Sequence, residues 1–168
     1  MRELLLDLYG AALRAADPAA AVRHELFERP LPSRAPVHVI ALGKAAVTMA
    51  GAAVSVLDQS KAAFAGGVVV GVTDARQGNA ALRHFAGDHP LPGPASARAA
   101  EAVAEAVASV PADHQALVLL SGGASSLAAA PVDGVTSGDL AALWSFLLGS
   151  GRDTPQPGQR PAKFSYPP

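Results

Sequence analysis

The sequence predicts an α/β protein in which a mostly parallel sheet carries helices on both faces. Short β-branched apolar runs recur along the chain, at 37–42, 66–72 and 116–120. Ala-rich stretches with helical periodicity lie between them, and strands alternating with helices of about 10–15 residues imply parallel crossover units. The runs are apolar throughout rather than alternating, as expected of parallel strands covered on both faces. At ~150 residues per domain, 168 residues suggest one domain, long enough to bury roughly 70% of its unfolded surface.

In chain order, Leu5, Leu8, Tyr9, Ala12 and Leu13 share one stripe of a 3.6-residue period and predict a first helix. Asp17-Pro18 supplies an N-cap followed by proline at the first helical position. That second helix runs to about Arg29, where Pro30-Leu31-Pro32 stops it. Residues 37–42, ending at Gly43, read as a buried strand. From Lys44 to about Leu57 a helix presents Val47, Ala50, Val54 and Leu57 along one side. Residues 66–72 form a second strand and 82–86 a weaker third. Pro94 begins a helix with Ala95, Ala99, Val103 and Val107 on its inner face. Residues 116–120 are the clearest strand, and a last helix starts near Thr136 and covers Leu140, Leu143, Trp144 and Leu147. Small alanines let such helices lie close to the sheet, giving a Rossmann-like three-layer domain over 1–150. From 151 to 168, five of the fourteen prolines and no apolar period predict a disordered tail.

Composition excludes several function classes. Thirteen Lys+Arg against fourteen Asp+Glu, a net charge of −1 with no basic block, gives no electrostatic case for nucleic acid or an anionic membrane. With no cysteine there is neither a disulfide nor a thiolate metal site. No apolar run approaches the ~20 residues of a membrane span, and acidic residues interrupt the first seven positions, unlike a signal peptide. The expectation is a soluble cytoplasmic protein. The five histidines, at 24, 38, 84, 89 and 114, form no i, i+4 pair and no carboxylate cluster, so no protein-only metal site is expected.

In parallel α/β sheets, ligands bind outside the carboxyl ends of the strands. Two loops sit there with suitable composition. In Leu42-Gly43-Lys44-Ala45-Ala46, Gly43 allows close backbone approach and Lys44 stands at a helix N-terminus, where a cation is out of place unless an anion is shared. The alternative is a solvated surface lysine. In Ser121-Gly122-Gly123-Ala124-Ser125-Ser126, two glycines free the backbone to curl, and hydroxyls with successive amides can wrap a phosphate or carboxylate. The alternative is a tight strand–helix turn with serine caps. Neither the P-loop nor the dinucleotide fingerprint is present, and Leu127 breaks the G-x-S-x-G pattern around Ser125. His89, in Asp88-His89-Pro90, can contact a ligand or simply order its loop. Asp133 and Asp139 flank the last loop and could meet a nucleotide-borne Mg2+, though Asp139 looks more like first-turn helix charge.

Taken in order, Leu42-Gly43-Lys44-Ala45-Ala46 with Met49, Gly87-Asp88-His89-Pro90-Leu91-Pro92, Leu119-Leu120 with the glycine/serine loop, and Ala130-Pro131-Val132-Asp133-Gly134-Val135-Thr136 resemble the amino-terminal domain of the glycerate 2-kinase family, also labelled hydroxypyruvate reductase. The resemblance covers about residues 1–150. It implies phosphorylation of D-glycerate at its 2-hydroxyl with ATP and Mg2+, in a cleft between an α/β domain of this kind and a second one. It further implies that Lys44 is the family's functional lysine, with Gly43, the 121–126 loop and His89 as substrate- or phosphate-binding positions. Two positions depart from the family pattern: Ala124 replaces a third glycine and Ser126 replaces an alanine. The family continues past residue 151, where this chain turns Pro/Gln/Gly-rich and stops. Little or no kinase activity is therefore expected of the chain alone, and its uncovered edges invite a homo-oligomer. A non-catalytic anion-binding module is the competing reading. A nicotinamide-dependent reductase is disfavoured by the missing G-x-G-x-x-G.

Overall fold

A computed structural model describes residues 1–31, 35–60, 62–73 and 79–149; the segment expected to be a disordered tail lies outside them. The elements are α1 (Arg2–Ala15), α2 (Pro18–Glu28), β1 (Val37–Leu42), α3 (Ala46–Ser60), β2 (Phe64–Gly71), β3 (Leu82–Ala86), α4 (Pro94–Ala108), β4 (Gln115–Leu120), α5 (Ala124–Leu127) and α6 (Ser137–Gly149). The strands form one four-stranded sheet in the order β3-β2-β1-β4, with every pairing parallel. The α/β fold with a parallel sheet is as the sequence predicts. Among the described residues, no helix is long and apolar enough to cross a membrane.

Local chemistry explains most of the boundaries. The Asp17 carboxylate accepts the Ala19 amide at 2.9 Å, and Pro18 occupies the first turn of α2. β2 starts two residues before the predicted 66, because the Val37 amide donates to the Ala63 carbonyl at 2.8 Å and pairs β1 with Phe64. Thr136 and Asp139 cap α6 reciprocally. The Asp139 carboxylate accepts the Thr136 amide at 2.9 Å, while the Asp139 amide donates to the Thr136 hydroxyl at 3.1 Å.

The core has two layers, one on each face of the sheet. On the first, Ala46, Ala50, Ala53, Val54 and Leu57 of α3 pack with Val22 of α2 against Val37, Val39, Ala41, Val69 and Leu119. On the second, Ala99 and Ala106 of α4 and Leu127 of α5 cover Ile40, Val68 and Val70. The helix between β1 and β2 thus lies on one face, and the helix that carries the chain back from β3 to β4 lies on the other. Right-handed crossovers running in opposite directions require this arrangement.

Two expected helices form without finding cover, and two expectations need correction. α1 forms, but none of its residues is buried, and Leu5 and Tyr9 are 59% and 64% exposed. Periodicity tells which side chains share a face, not whether a surface exists to receive them. α6 likewise buries none of Leu140, Leu143, Trp144 or Leu147. In α4 the buried positions are Ser96, Ala99, Ala102 and Ala106, so Ala95 and Val103 are flanking and Val107 faces water. The helix is turned by Asp88, whose amide donates to the Ser96 hydroxyl at 2.9 Å and whose carboxylate accepts the Ala95 amide at 2.8 Å. Finally, β4 is covered on one face only. Leu119 is buried, but Val118 and Leu120 are 53% and 62% exposed.

Candidate functional site

β1 and β4 are neighbours whose following helices go to opposite faces: α3 to the first layer, α5 to the second. Such a switch point opens a crevice at the carboxyl ends of the two strands. The Gly43–Lys44 turn leaves β1 there, and the 121–126 loop leaves β4 there.

The two loops are hydrogen-bonded to each other. The Ser121 amide donates to the Leu42 carbonyl at 2.9 Å and the Lys44 amide to the Gly122 carbonyl at 2.9 Å. The Ser121 hydroxyl accepts the Ala45 amide at 3.0 Å and donates to the Leu42 carbonyl at 3.3 Å. Gly43 has φ +119°, and a Cβ there would fall on the Ser121 hydroxyl and carbonyl. Contact this close requires glycine. Lys44 itself sits in the turn two residues before α3, not within the helix as the sequence reading placed it.

The third loop arrives at Gly123, which has φ +88°. A Cβ built there would stand 3.2 Å from His89 Cδ2, 3.3 Å from His89 Nε2 and 3.3 Å from Lys44 Cε. The lysine stem and the imidazole therefore both approach one glycine, and both side chains belong to exposed residues. The peptide bond between His89 and Pro90 is cis. Among the described residues, the amides of Gly122, Gly123, Ala124 and Ser125 donate to no protein acceptor, as expected at the start of a helical turn. Four such amides beside the Lys44 side chain suit an anion.

The three hydroxyls of the loop differ in role. Ser121 is occupied in joining the loops. Ser126 is buried and donates to the Gly123 carbonyl at 3.1 Å. Ser125 is exposed beside the unpartnered amides. Ala124 opens α5 in helical geometry, where its Cβ is unstrained, so the departure from a third glycine leaves the backbone path intact.

Asp133 precedes α6 and Asp139 lies in its first turn. Hydrogen bonds from the Thr136 hydroxyl and amide hold the Asp139 carboxyl below the usual carboxylate range, so its first-turn role is the one the geometry supports. Among the described residues, no group of three or more His, Cys, Asp or Glu could hold a metal ion. Sequence reasoning missed two features. Asp88 caps α4 from the position next to His89. At the other end of the sheet, His38 Nε2 and His114 Nδ1 lie 3.0 Å apart with ring centroids at 5.2 Å, a hydrogen bond between residues 76 apart in sequence. Burial, then the nearby His114, pushes the His38 pKa down.

A family model described as a domain of unknown function, DUF4147, matches residues 4–156. Among curated proteins, the chain is 34% identical over 154 residues to a putative hydroxypyruvate reductase of Agrobacterium vitis, covering 89% of this chain and 33% of that protein. It is 30% identical over 160 residues to the glycerate 2-kinase of Pyrococcus horikoshii, covering 90% of this chain and 35% of that protein. Among solved structures, the glycerate kinase of Thermotoga maritima superposes with a TM-score of 0.74 at 32% identity, over 90% of this chain and 35% of that one. The chain thus spans about a third of the length of the relatives it matches.

Proposed function

The chain belongs to the DUF4147 domain family, the amino-terminal domain of the glycerate 2-kinase family, and on that premise we propose that its three-loop site binds the anionic groups of a phosphoryl transfer to D-glycerate. The reading rests on one observation: Lys44 and His89 meet at Gly123, beside four amides with no protein acceptor.

Phosphoryl transfer needs positioning and charge neutralisation more than covalent chemistry. Lys44 supplies a mobile positive charge at the switch point, suited to an oxygen whose charge grows during transfer. The amides of 122–125 orient a tetrahedral or carboxylate anion, and Ser125 can add a hydroxyl donor. His89 offers a ring nitrogen beside Gly123 that can hydrogen-bond substrate. ATP with Mg2+, when bound, supplies the phosphoryl group that converts glycerate to 2-phosphoglycerate. The Lys44 ammonium and the four amides fit its phosphates, and the Mg2+ would come with the nucleotide. Asp88, the carboxylate nearest His89 in sequence, is committed to the α4 amides and is not free to act as a base. The chain by itself should turn over glycerate and ATP slowly or not at all.

The second reading is binding without catalysis, and the exposure of Lys44 and His89 favours it for the chain alone. A reductase reading, which the name of the Agrobacterium vitis relative suggests, finds no dinucleotide fingerprint after β1 or β4. Titrating inorganic phosphate and D-glycerate into the labelled chain tests the proposal. Amide shifts should centre on 122–125 and weaken about tenfold or more in Lys44→Ala. Shifts that avoid this loop, or that ignore the substitution, would refute anion binding here. Glycerate phosphorylation by the wild-type chain that Lys44→Ala abolishes would instead overturn the expectation that the chain alone is slow or inactive.

A further inference from the structure

Ser96, in the first turn of α4, is a fully buried polar side chain whose hydroxyl is used to capacity. A hydroxyl offers one proton and two lone pairs. The Ser96 oxygen accepts the Asp88 amide at 2.9 Å and the Gly93 amide at 3.3 Å. Its proton goes to the Asp88 carbonyl at 3.3 Å. In return the Asp88 carboxylate accepts the Ala95 and Ser96 amides at 2.8 and 3.3 Å.

Capping a helix needs much less than this. The usual device is a serine, threonine, aspartate or asparagine at the N-cap itself. Here the N-cap is Gly93, which has no side chain, and the carboxylate comes from Asp88 at the far end of the loop. Glycine is what admits it, because a Cβ on Gly93 would stand 2.6 Å from Asp88 Oδ2. The backbone from 88 to 93 is thereby closed into a ring, fastened at both ends, and His89 lies within it.

Ser96 also reaches the glycine/serine segment. Its carbonyl accepts the Ala129 amide at 3.3 Å, just past the end of α5. Nearby, Gly87 lies so close to α5 that a Cβ on it would fall on the Leu127 carbonyl. One residue thus holds the His89 loop by its hydroxyl and the exit of the anion loop by its carbonyl.

We propose that Ser96 is a positioning residue: closed on Asp88, it holds the 88–93 loop against α5 so that the His89 ring stays beside Gly123. Its effect on anion binding rests on the phosphoryl-transfer reading, but its hold on the ring does not.

Nuclear Overhauser contacts between the His89 ring and the Gly123 α protons report the ring's place in the full chain, with no ligand present. They are expected in wild type and should vanish in Ser96→Ala, which leaves the Asp88 and Gly93 amides without their acceptor. Should Ser96→Ala fail to fold, Gly93→Ala opens the same closure by crowding the Asp88 carboxylate, and the contacts should vanish there too. Inorganic phosphate supplies the second readout. Affinity at the 122–125 amides should fall about threefold or more in His89→Ala and by the same factor in Ser96→Ala. The double variant should lose no more than His89→Ala alone, because residues that act through one another are not additive. A role confined to helix stability would leave the ring contacts intact in the folded fraction and make the two losses multiply. Either result overturns the proposal, as does a wild-type chain that lacks the ring contacts. A wild-type chain that binds no phosphate, yet loses the contacts in Ser96→Ala, refutes the anion site and sustains the positioning role.

Discussion

Lys44 and Gly123 show how much one contact can depend on backbone conformation. The lysine was legible in the sequence because a cation in a glycine turn after a buried strand is out of place without an anion. Its meeting with His89 was not legible, since the two are 45 positions apart and joined only through Gly123. Gly123→Ala should cost about 1–3 kcal/mol for its left-handed backbone, and the added methyl would also press on the imidazole and lysine stem. Anion binding should therefore fall by more than the loss of stability explains, which titration of the still-folded fraction would reveal. Ser121→Ala removes an acceptor for the Ala45 amide and should destabilise by about 1–2 kcal/mol; chemical denaturation measures it.

At the level of elements, the carboxylate at residue 88 connects fold and site. Its acceptance of the Ala95 and Ser96 amides caps α4, although the N-cap position itself is Gly93. Asp88→Ala should lower stability by about 1 kcal/mol, as lost helix caps do, and should displace His89, weakening anion binding in parallel. The cap at α6 depends on acidity. The Asp139 carboxyl is held below its ordinary pKa by Thr136, so the unfolded chain takes up a proton first as pH falls. The cap's contribution is complete above the carboxylate range and fades as pH drops through the lowered value. Circular dichroism of Asp139→Asn should lack that part of the acid response. β3, the weakest strand by sequence, formed because it pairs with β2 along Gly67–Gly71, a context that local propensity does not contain.

For the molecule as a whole, stability comes from two thin layers that share one sheet. Leu127 is fully buried where α5 meets α4 and the sheet, so Leu127→Ala should cost about 2–5 kcal/mol and disorder the 121–126 loop with it. The His38–His114 hydrogen bond joins β1 to the turn that enters the edge strand. One ring must donate and the other accept, so the bond cannot survive protonation of both imidazoles. The folded His38 pKa lies below the ordinary histidine value, so this contribution is complete above that value. It is lost as pH falls through the lowered one. His114→Gln should flatten the pH dependence of β4 amide exchange across that window, while wild type becomes less protected on acidification.

Layer type, strand sequence and the two glycine-bearing loops could be read directly, because apolar periodicity and turn chemistry are local properties of a few adjacent residues. Which helix faces find a surface is not local. α1 and α6 have the same kind of apolar pattern as α3, yet only α3 is packed, because burial requires a second surface that the pattern cannot specify. The same holds for the site: composition marked Lys44 and the glycine/serine loop, but only the parallel register of β1 with β4, and the return of α4 across the other face, brought His89 to them.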